Sequence, residues 1–287
     1  MQIIKAVITA GSPAQRALPL QAIVDSDGTS KPVLAILLED VTRAGIEEVA
    51  VIVPPGDEPV FRAALGPAPC KVVFIPQEGP AGYAQALLCA REFAGGKSFL
   101  HLVGDHLFVR SKGASCAGHL LQAAAEEDCS ISLVQPTREN LLPRFGTIGG
   151  QPVRNRPYLY SVDKVIEKPT PTEAEQTLLV PGLRAGHYLC FFGMHVLTPT
   201  IFAYLAEVTA SANGPLSLSA ALNRLAREEK YLALEVPGCR RFDLGARYGV
   251  FNAQLAMALE GPDRDEVLAG LLDLVANRFA LAETAAE

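Results

Sequence analysis

The chain has 287 residues, of which 49% are hydrophobic, and carries a formal net charge of −6 at pH 7. A chain of this length and apolar content can bury a large core, so we expect a globular protein with one large domain or one domain and an appendage. The acidic balance argues against a general nucleic-acid surface. No run of about 18 uncharged apolar residues is present, which argues against a transmembrane helix.

Cysteine usage and the N-terminus bear on the compartment. The six cysteines lie far apart and form no CxxC pair, a pattern typical of reduced thiols that indicates neither a zinc site nor a disulfide framework. The first residues lead directly into an apolar, strand-like segment and lack the layout of a signal peptide. We therefore expect a cytoplasmic protein without a membrane partner.

Hydrophobic periodicity predicts alternating strands and helices through the first half of the chain. The predicted strands cover residues 3–9, 49–53, 72–75, a segment that runs into Asp105, and residues 130–135; the predicted helices cover residues 32–44, 59–65, 81–93 and 114–125. Such alternation predicts a largely parallel sheet with helices on both faces, joined by right-handed crossovers.

The second half of the chain is less regular. Residues 154–168 are typical of two short strands around a turn, residues 188–196 are rich in β-formers, and a final strand is predicted over residues 231–236. Helices are predicted over residues 199–205 and 216–227 and from Tyr248 onward, where leucines and valines recur at helical spacing.

The most informative single residue is Asp105, which ends a buried apolar strand. Leu100, Leu102 and Val103 form the strand, and Gly104 lets the backbone approach whatever the carboxylate holds. In open α/β sheets, ligands bind outside the carboxyl ends of the strands, so a hard cation is one natural partner. The alternative is that Asp105 caps a following helix, because Asp is a preferred N-cap residue.

Other common catalytic patterns are missing from the sequence. The five histidines show no spacing typical of a metal site or a catalytic triad, so His106 and His195 are interpreted as supporting or structural residues. GxSxG, HExxH and Walker A motifs are absent, which leaves hydrolase and P-loop interpretations without support.

Nine short motifs follow one another along the chain. They are Ala10-Gly11 with Arg16, Lys31-Pro32-Val33-Leu34, the segment 44–49, Gln77 with Gly82 and the segment 85–90, Gly104-Asp105, Phe145-Gly146, Ile166-Glu167-Lys168-Pro169, the segment 193–197, and Phe242-Asp243-Leu244-Gly245. In their order and spacing they resemble the sugar-1-phosphate nucleotidylyltransferases, and among these most closely the bacterial UTP–glucose-1-phosphate uridylyltransferases. The resemblance covers roughly residues 4–259.

The resemblance implies a Rossmann-like, three-layer α/β nucleotidylyltransferase fold with a mostly parallel central sheet. A nucleotidylyltransferase domain would span residues 1–260, with a nucleotide-binding half at 1–139 and a sugar-phosphate half at 140–260. Residues 261–287 would form a C-terminal helical tail. The implied reaction joins a nucleoside triphosphate, with UTP favoured, to a sugar 1-phosphate, with glucose 1-phosphate favoured, and releases pyrophosphate.

The resemblance also assigns roles to individual residues. Lys168 would neutralise the sugar phosphate as a catalytic residue, and Arg16 would hold the departing pyrophosphate. Asp105 would contact the nucleotide and, together with Asp243, hold Mg²⁺, because a small cation of this kind needs carboxylate oxygens besides phosphate and water. The other implied contacts are Ala10, Gly11, Gln77 and Gly82 for the nucleotide, and Gly146 and Glu167 for the sugar.

Departures from the family pattern leave alternatives open. The glycine-rich loop is degraded to residues 11–16 and includes Pro13, residues 17–30 contain no Lys or Arg, and residues 213–222 lack the acidic and amide residues of relatives. A family lysine expected near the pyrophosphate is therefore missing or replaced from elsewhere. A non-catalytic sugar-nucleotide-binding paralogue remains an alternative, as does a thymidylyl or cytidylyl transferase. The sequence leaves homo-oligomerisation open.

Overall fold

A computed structural model describes residues 1–12, 16–78, 82–110, 113, 115–211 and 217–284, without the side chains of residues 211 and 278–284. In the first half, the strands are β1 Lys5–Thr9, β2 Ala22–Val24, β3 Ser30–Pro32, β4 Glu48–Val53, β5 Lys71–Pro76, β6 Phe99–Val103, β7 His106–Arg110 and β8 Ser130–Arg138. The helices are α1 Val33–Arg43, α2 Glu58–Leu65, α3 Tyr83–Leu88, α4 Arg91–Ala94 and α5 Cys116–Glu127.

The second half adds more strand than the sequence analysis predicted. Its strands are β9 Gly146–Pro152, β10 Leu159–Glu167, β11 His187–Leu197, β12 Tyr231–Glu235 and β13 Cys239–Asp243. Its helices are α6 Pro171–Thr177, α7 Ile201–Ser211, α8 Leu218–Glu228, α9 Gly249–Glu260 and α10 Arg264–Thr284. Short 3-10 helices cover Leu18–Leu20 and Glu139–Arg144.

Among the described residues, nine strands form one sheet in the order β5-β4-β1-β6-β11-β8-β12-β10-β9. The four strands from β5 to β6 pair in parallel, as does β12 with β8. The pairs β6–β11, β11–β8, β12–β10 and β10–β9 are antiparallel. Parallel pairing, which the sequence predicts for most of the sheet, therefore holds for β5, β4, β1 and β6, whereas most pairs among the other strands are antiparallel.

Two core clusters on opposite faces of the sheet give the fold its three layers. In β1, Ala6 and Ile8 belong to the cluster that includes apolar residues of α1 and α5, whereas Val7 belongs to the cluster that includes those of α3, α7 and α8. Successive strand residues face opposite sides, so a strand buried on both faces is apolar throughout. β4 illustrates this, because five of its six residues are buried.

The segment after Asp105 differs from the sequence expectation. The alternative in which Asp105 caps a following helix is wrong, because strand β7 begins at His106 and pairs antiparallel with β13. The predicted helix over residues 81–93 is instead the two helices α3 and α4, and β2 and β3 form a small hairpin that was not predicted. No helix in the described part of the chain is both long and apolar enough to span a bilayer.

Candidate active site

The two predicted metal carboxylates meet where β6 and β13 end. The β7–β13 ladder places Asp243 opposite His106, and the backbone amide of Leu244 donates to the carbonyl oxygen of Asp105 over 3.0 Å. One potential ligand atom from each of Asp105, His106 and Asp243 lies within 4.8 Å of the other two. The proximity predicted from sequence is therefore confirmed, although metal binding itself stays a prediction.

Gly104 allows the chain to turn tightly at this edge. Its amide donates to the carbonyl oxygen of Thr9 over 2.9 Å, and a Cβ at this position would lie 3.0 Å from that oxygen and 3.3 Å from the Cβ of Ala10. A side chain would push β6 away from β1. The glycine therefore keeps Asp105 beside the end of β1, where the nucleotide residues begin.

The donor set fits a hard cation. Burial raises the pKa of Asp105, but the hydrogen bond and positive charge of His106 outweigh it, so the pKa of this carboxyl lies below its ordinary value. The Nδ1 atom of His106 lies 2.8 Å from an oxygen of Asp105, which orients the carboxylate and occupies that nitrogen. Carboxylate oxygens of Asp105 and Asp243 remain as the ligands that Mg²⁺ prefers.

The predicted nucleotide residues are held together by one side chain. Gln77 follows β5 and donates from Nε2 to the carbonyl oxygen of Gly82 over 3.0 Å, while its Oε1 packs directly against Gly11. Ala10 is buried, and its amide donates to the carbonyl oxygen of Ile52 over 2.8 Å. Gly11, Gln77 and Gly82 therefore lie together at the carboxyl ends of β1 and β5.

The sugar-side residues also converge. Gly146 pairs with Glu167 in the β9–β10 ladder, and Ser219 on α8 donates a hydrogen bond to the Glu167 carboxylate. A Cβ on Gly146 would lie 2.7 Å from the hydroxyl of Ser219 and 2.8 Å from the ring of Phe191. Ser219 was not predicted, because nothing in its helical sequence context marks it as functional.

Lys168 has an unusual backbone conformation, which affects the directions of the Glu167 and Lys168 side chains. Its φ of 49° lies in the left-handed region, which non-glycine residues rarely adopt. The ammonium lies 4.0 Å from a carboxylate oxygen of Glu167, and its side chain is 57% exposed. The left-handed turn ends the strand alternation, which would otherwise direct these neighbouring side chains to opposite faces.

Two cations near the N-terminus form ion pairs with carboxylates other than those of Asp105 and Asp243. Arg16 is exposed and forms an ion pair with Asp57 over 3.7 Å. Lys31 contacts three carboxylates, those of Asp25, Asp27 and Glu39, at 2.9, 2.7 and 2.8 Å. Lys31 is thus a structural cation and does not replace the missing family lysine. Residues 13–15, including Pro13, and residues 213–216 of the divergent segment 213–222 lie outside the described residues.

Several buried polar side chains contact one another close to the site. His101 lies near the hydroxyls of Thr9 and Tyr83, its ring stacks on His195 at 5.6 Å between centroids, and Nδ1 of His195 lies 2.6 Å from the hydroxyl of Ser132. Burial lowers the pKa of His195 to about 3 and holds that of His101 well below its usual range. Both rings are neutral at physiological pH, as expected of structural residues.

A cavity of about 360 Å³ lies elsewhere, lined by residues that include Asp40, Arg43, Arg110 and Cys116. None of the predicted site residues lines it. The cavity is therefore separate from the residues that the sequence predicts for the nucleotide, the metal and the sugar.

Comparison with known proteins identifies the fold and the family. The chain is 25% identical over 293 residues to UTP–glucose-1-phosphate uridylyltransferase 1 of Streptococcus pyogenes serotype M1, covering 92% of this chain and 91% of that protein. A structure of UDP-glucose pyrophosphorylase with UDP-glucose superimposes with a TM-score of 0.74 at 20% identity, covering 89% of this chain and 98% of the other.

A second structure, described as UTP-bound UGPase from Acinetobacter baumannii, gives a TM-score of 0.72 at 19% identity and covers 94% of this chain and 99% of the other. At this identity, the two structures establish the fold. The nucleotidyl transferase family matches residues 6–258. Because that match spans most of the chain, the protein belongs to the nucleotidyl transferase family.

Proposed function

We propose that the protein transfers a uridylyl group from UTP to glucose 1-phosphate in a Mg²⁺-dependent reaction that yields UDP-glucose and pyrophosphate. The observation that carries this proposal is the convergence of Asp105 and Asp243 at the sheet edge beside the nucleotide residues. The relative from Streptococcus pyogenes bears the name of this activity, and the two structures contain UDP-glucose and UTP.

The chemistry needs positioning and charge stabilisation. A phosphate oxygen of the sugar phosphate attacks the α-phosphorus of UTP, a new P–O bond forms, and the bond to the departing pyrophosphate breaks. No protein nucleophile is required, because the attacking oxygen is already anionic. The protein therefore has to overcome the repulsion between two anions and align them.

Each group of residues contributes to that task. Asp105 and Asp243 would hold Mg²⁺, which supplies positive charge to the phosphates when bound. Lys168 screens the sugar phosphate, and Glu167, fixed by the hydroxyl of Ser219, accepts hydrogen bonds from sugar hydroxyls. Arg16 provides charge for pyrophosphate, for which it must leave its ion pair with Asp57.

The side chain of Gln77 favours uracil or thymine as the base of the nucleotide. A side-chain amide offers both a donor and an acceptor, which matches the imide edge of these bases. Its contacts with Gly11 and Gly82 hold the amide beside two other residues proposed to bind the nucleotide. Thymidylyl transfer is thus the nearest alternative reaction, and cytidylyl transfer would require a different pairing.

The second candidate is a non-catalytic protein that binds sugar nucleotides. It is favoured by one observation, that the segment between Arg16 and Lys31 contains no cation and Lys31 is held by three carboxylates. Such a protein would keep the binding surfaces and lack the charge that assists the departure of pyrophosphate.

A pyrophosphate-release screen tests both candidates. The four ribonucleoside triphosphates and dTTP are each combined with a panel of sugar 1-phosphates and Mg²⁺. We expect the fastest release with UTP and glucose 1-phosphate. Faster release with dTTP would identify a thymidylyl transferase. Silence across the panel, together with calorimetric binding of UDP-glucose, would establish the non-catalytic alternative.

A further inference from the structure

Arg241 connects the strand of one metal carboxylate to the sugar side of the site. It lies on β13 two residues before Asp243, so the two side chains leave the strand on the same face. Phe242, between them, faces the other way and is 9% exposed in the core. The backbone amide of Arg241 donates to the side-chain oxygen of Gln135 on β8 over 3.3 Å.

The guanidinium group is held by four uncharged groups. Its Nη1 donates to the carbonyl oxygen of Cys190 over 3.3 Å and to that of Phe191. Its Nη2 donates to the hydroxyl of Thr137 over 3.3 Å, and its plane stacks 3.6 Å from the ring centroid of Phe145. These uncharged partners orient the guanidinium, and the carboxylate of Asp243 on the same strand face attracts its charge.

The contacts fall at an irregular point of the sheet. The register between β11 and β8 shifts between Phe191 and His195, so strand pairing there is interrupted. Backbone carbonyls released from a ladder need other donors, and the rigid fork of an arginine can serve two at once. Arg241 therefore stabilises the bulged part of β11.

Both aromatic residues at this point border the sugar-side residues. Phe145 directly precedes Gly146, and its carbonyl oxygen accepts a hydrogen bond from the amide of Lys168 over 3.2 Å. The ring of Phe191 lies 2.8 Å from the position that a Cβ on Gly146 would take. A shift of either phenylalanine would also move Gly146 and the neighbouring residues Glu167 and Lys168.

We propose that Arg241 is a positioning residue of the transfer site. It holds Phe145 and Phe191, which border the residues proposed to bind the sugar phosphate, in a fixed position relative to the carboxylate of Asp243. The inference rests on the proposed function. It predicts that Arg241 affects the sugar phosphate more than the nucleotide, because all its side-chain contacts described above lead to the sugar side.

Steady-state kinetics of Arg241→Gln, with UTP and glucose 1-phosphate varied separately, tests this role. We expect the KM for glucose 1-phosphate to rise at least about tenfold and kcat to fall, because small misplacements of a reacting group are costly. The KM for UTP should stay within about twofold, since none of the Arg241 contacts described above involves a residue predicted to bind the nucleotide. Arg240→Gln, at the exposed neighbouring arginine that stacks on Phe242, should match the wild type.

Arg241→Lys separates positioning from charge. Lysine keeps the charge but loses the fork and the stacking plane, so most of the defect should remain. Full activity in Arg241→Lys, or an equal rise in both KM values in Arg241→Gln, would overturn the inference. If Arg241→Gln fails to fold, Thr137→Val and Phe145→Leu remove single partners, and an unchanged KM for glucose 1-phosphate in both would overturn it.

Wild-type turnover is measured in the same series. Its absence would reject the proposed function without deciding the role of Arg241. Calorimetry then decides that role, because Arg241→Gln must weaken binding of UDP-glucose more than binding of UTP. Equal weakening of the two ligands would reject the inference.

Discussion

Asp105 and Asp243 owe their proximity to the pairing of β7 with β13, although they lie far apart in the sequence. Two carboxylates this close repel each other unless a cation lies between them. The nearby His106 already lowers the pKa of Asp105, so both the hydrogen bond and the metal would keep the site ionised. Replacing either aspartate with asparagine removes one of these charges and so tests whether the two residues share a metal ion.

Asp105→Asn and Asp243→Asn should each reduce Mg²⁺-dependent turnover by at least about a hundredfold, because each removes one anionic ligand from the same cation. Turnover across a Mg²⁺ titration measures this, and circular dichroism checks that the fold is retained. Asp273→Asn, at an exposed carboxylate of α10, serves as the control. Wild-type response to Mg²⁺ in either variant would reject the shared-metal assignment.

Gln77→Ala should weaken use of UTP by about 1–3 kcal/mol, the cost of losing a paired polar contact. The KM values for UTP and CTP are compared, because base discrimination should fall along with affinity. Gln122→Ala is a matched control, since that glutamine donates to the carboxylate of Glu126 on an exposed face of α5. An unchanged KM for UTP, or better use of purine nucleotides, would contradict the assignment of the base.

Arg16→Ala should reduce turnover by at least about a hundredfold while binding of the sugar phosphate stays nearly intact, because cationic groups on a leaving pyrophosphate lower the barrier by several kcal/mol. Exchange of labelled pyrophosphate into UTP gives the rate. Asp57→Asn removes the ion-pair partner and should preserve or increase turnover. Near-normal exchange in Arg16→Ala would show that the leaving group is stabilised elsewhere.

Among elements, the contact between β13 and α9 is the one most sensitive to a small change. Gly249 begins α9, and a Cβ built there would overlap the carbonyl group of Asp243. The helix approaches the end of the strand this closely only because the glycine has no side chain. Any residue larger than glycine must displace α9 or the metal carboxylate.

Gly249→Ala should therefore lower the melting temperature and raise the Mg²⁺ concentration needed for half-maximal turnover. Differential scanning calorimetry and a Mg²⁺ titration measure the two effects. Gly270→Ala in α10 is the control, because nothing lies within 4 Å of its built Cβ and alanine favours a helix by about 1 kcal/mol. Equal behaviour of the two variants would refute the close-contact argument.

The elements also differ in how well their sequences predict them. β1, β4 and α1 follow from continuous or 3.6-residue apolar patterns, and the structure confirms them within a few residues. β7 and β13 are short, and their partners lie more than a hundred residues away in the chain, so neither has a local signal. The left-handed φ of Lys168 is likewise invisible in a polar segment before a proline.

At the scale of the whole molecule, the buried histidines link stability to pH. The folded pKa of His195 is about 3 and that of His101 is also lowered, whereas an unfolded histidine titrates near 6.5. Below about pH 6.5 these histidines become protonated in the unfolded chain but stay neutral in the folded chain, so the free energy of unfolding falls as the pH decreases. Asp40 opposes this, because burial raises its pKa to about 6.

The free energy of unfolding should therefore decrease between pH 7 and pH 5, with each histidine contributing up to about 2 kcal/mol. Urea unfolding at the two pH values measures the difference. His195→Gln removes one titrating group, so its pH dependence should be smaller than that of the wild type. A wild-type stability that rises on acidification would contradict the neutral, buried state of these rings.

The sequence by itself determined the α/β class, the strand-end position of Asp105, the family, and the identity of the candidate site residues, because periodicity and short motifs are local properties of the chain. Only the tertiary structure decided which strand pairing brings Asp243 beside Asp105, that His106 and Ser219 support the carboxylates, that Lys31 is held by three acids, and that Arg241 contacts the residues next to Gly146. Each of these depends on strand pairing or packing between distant segments, and such contacts leave no periodic pattern in either segment alone.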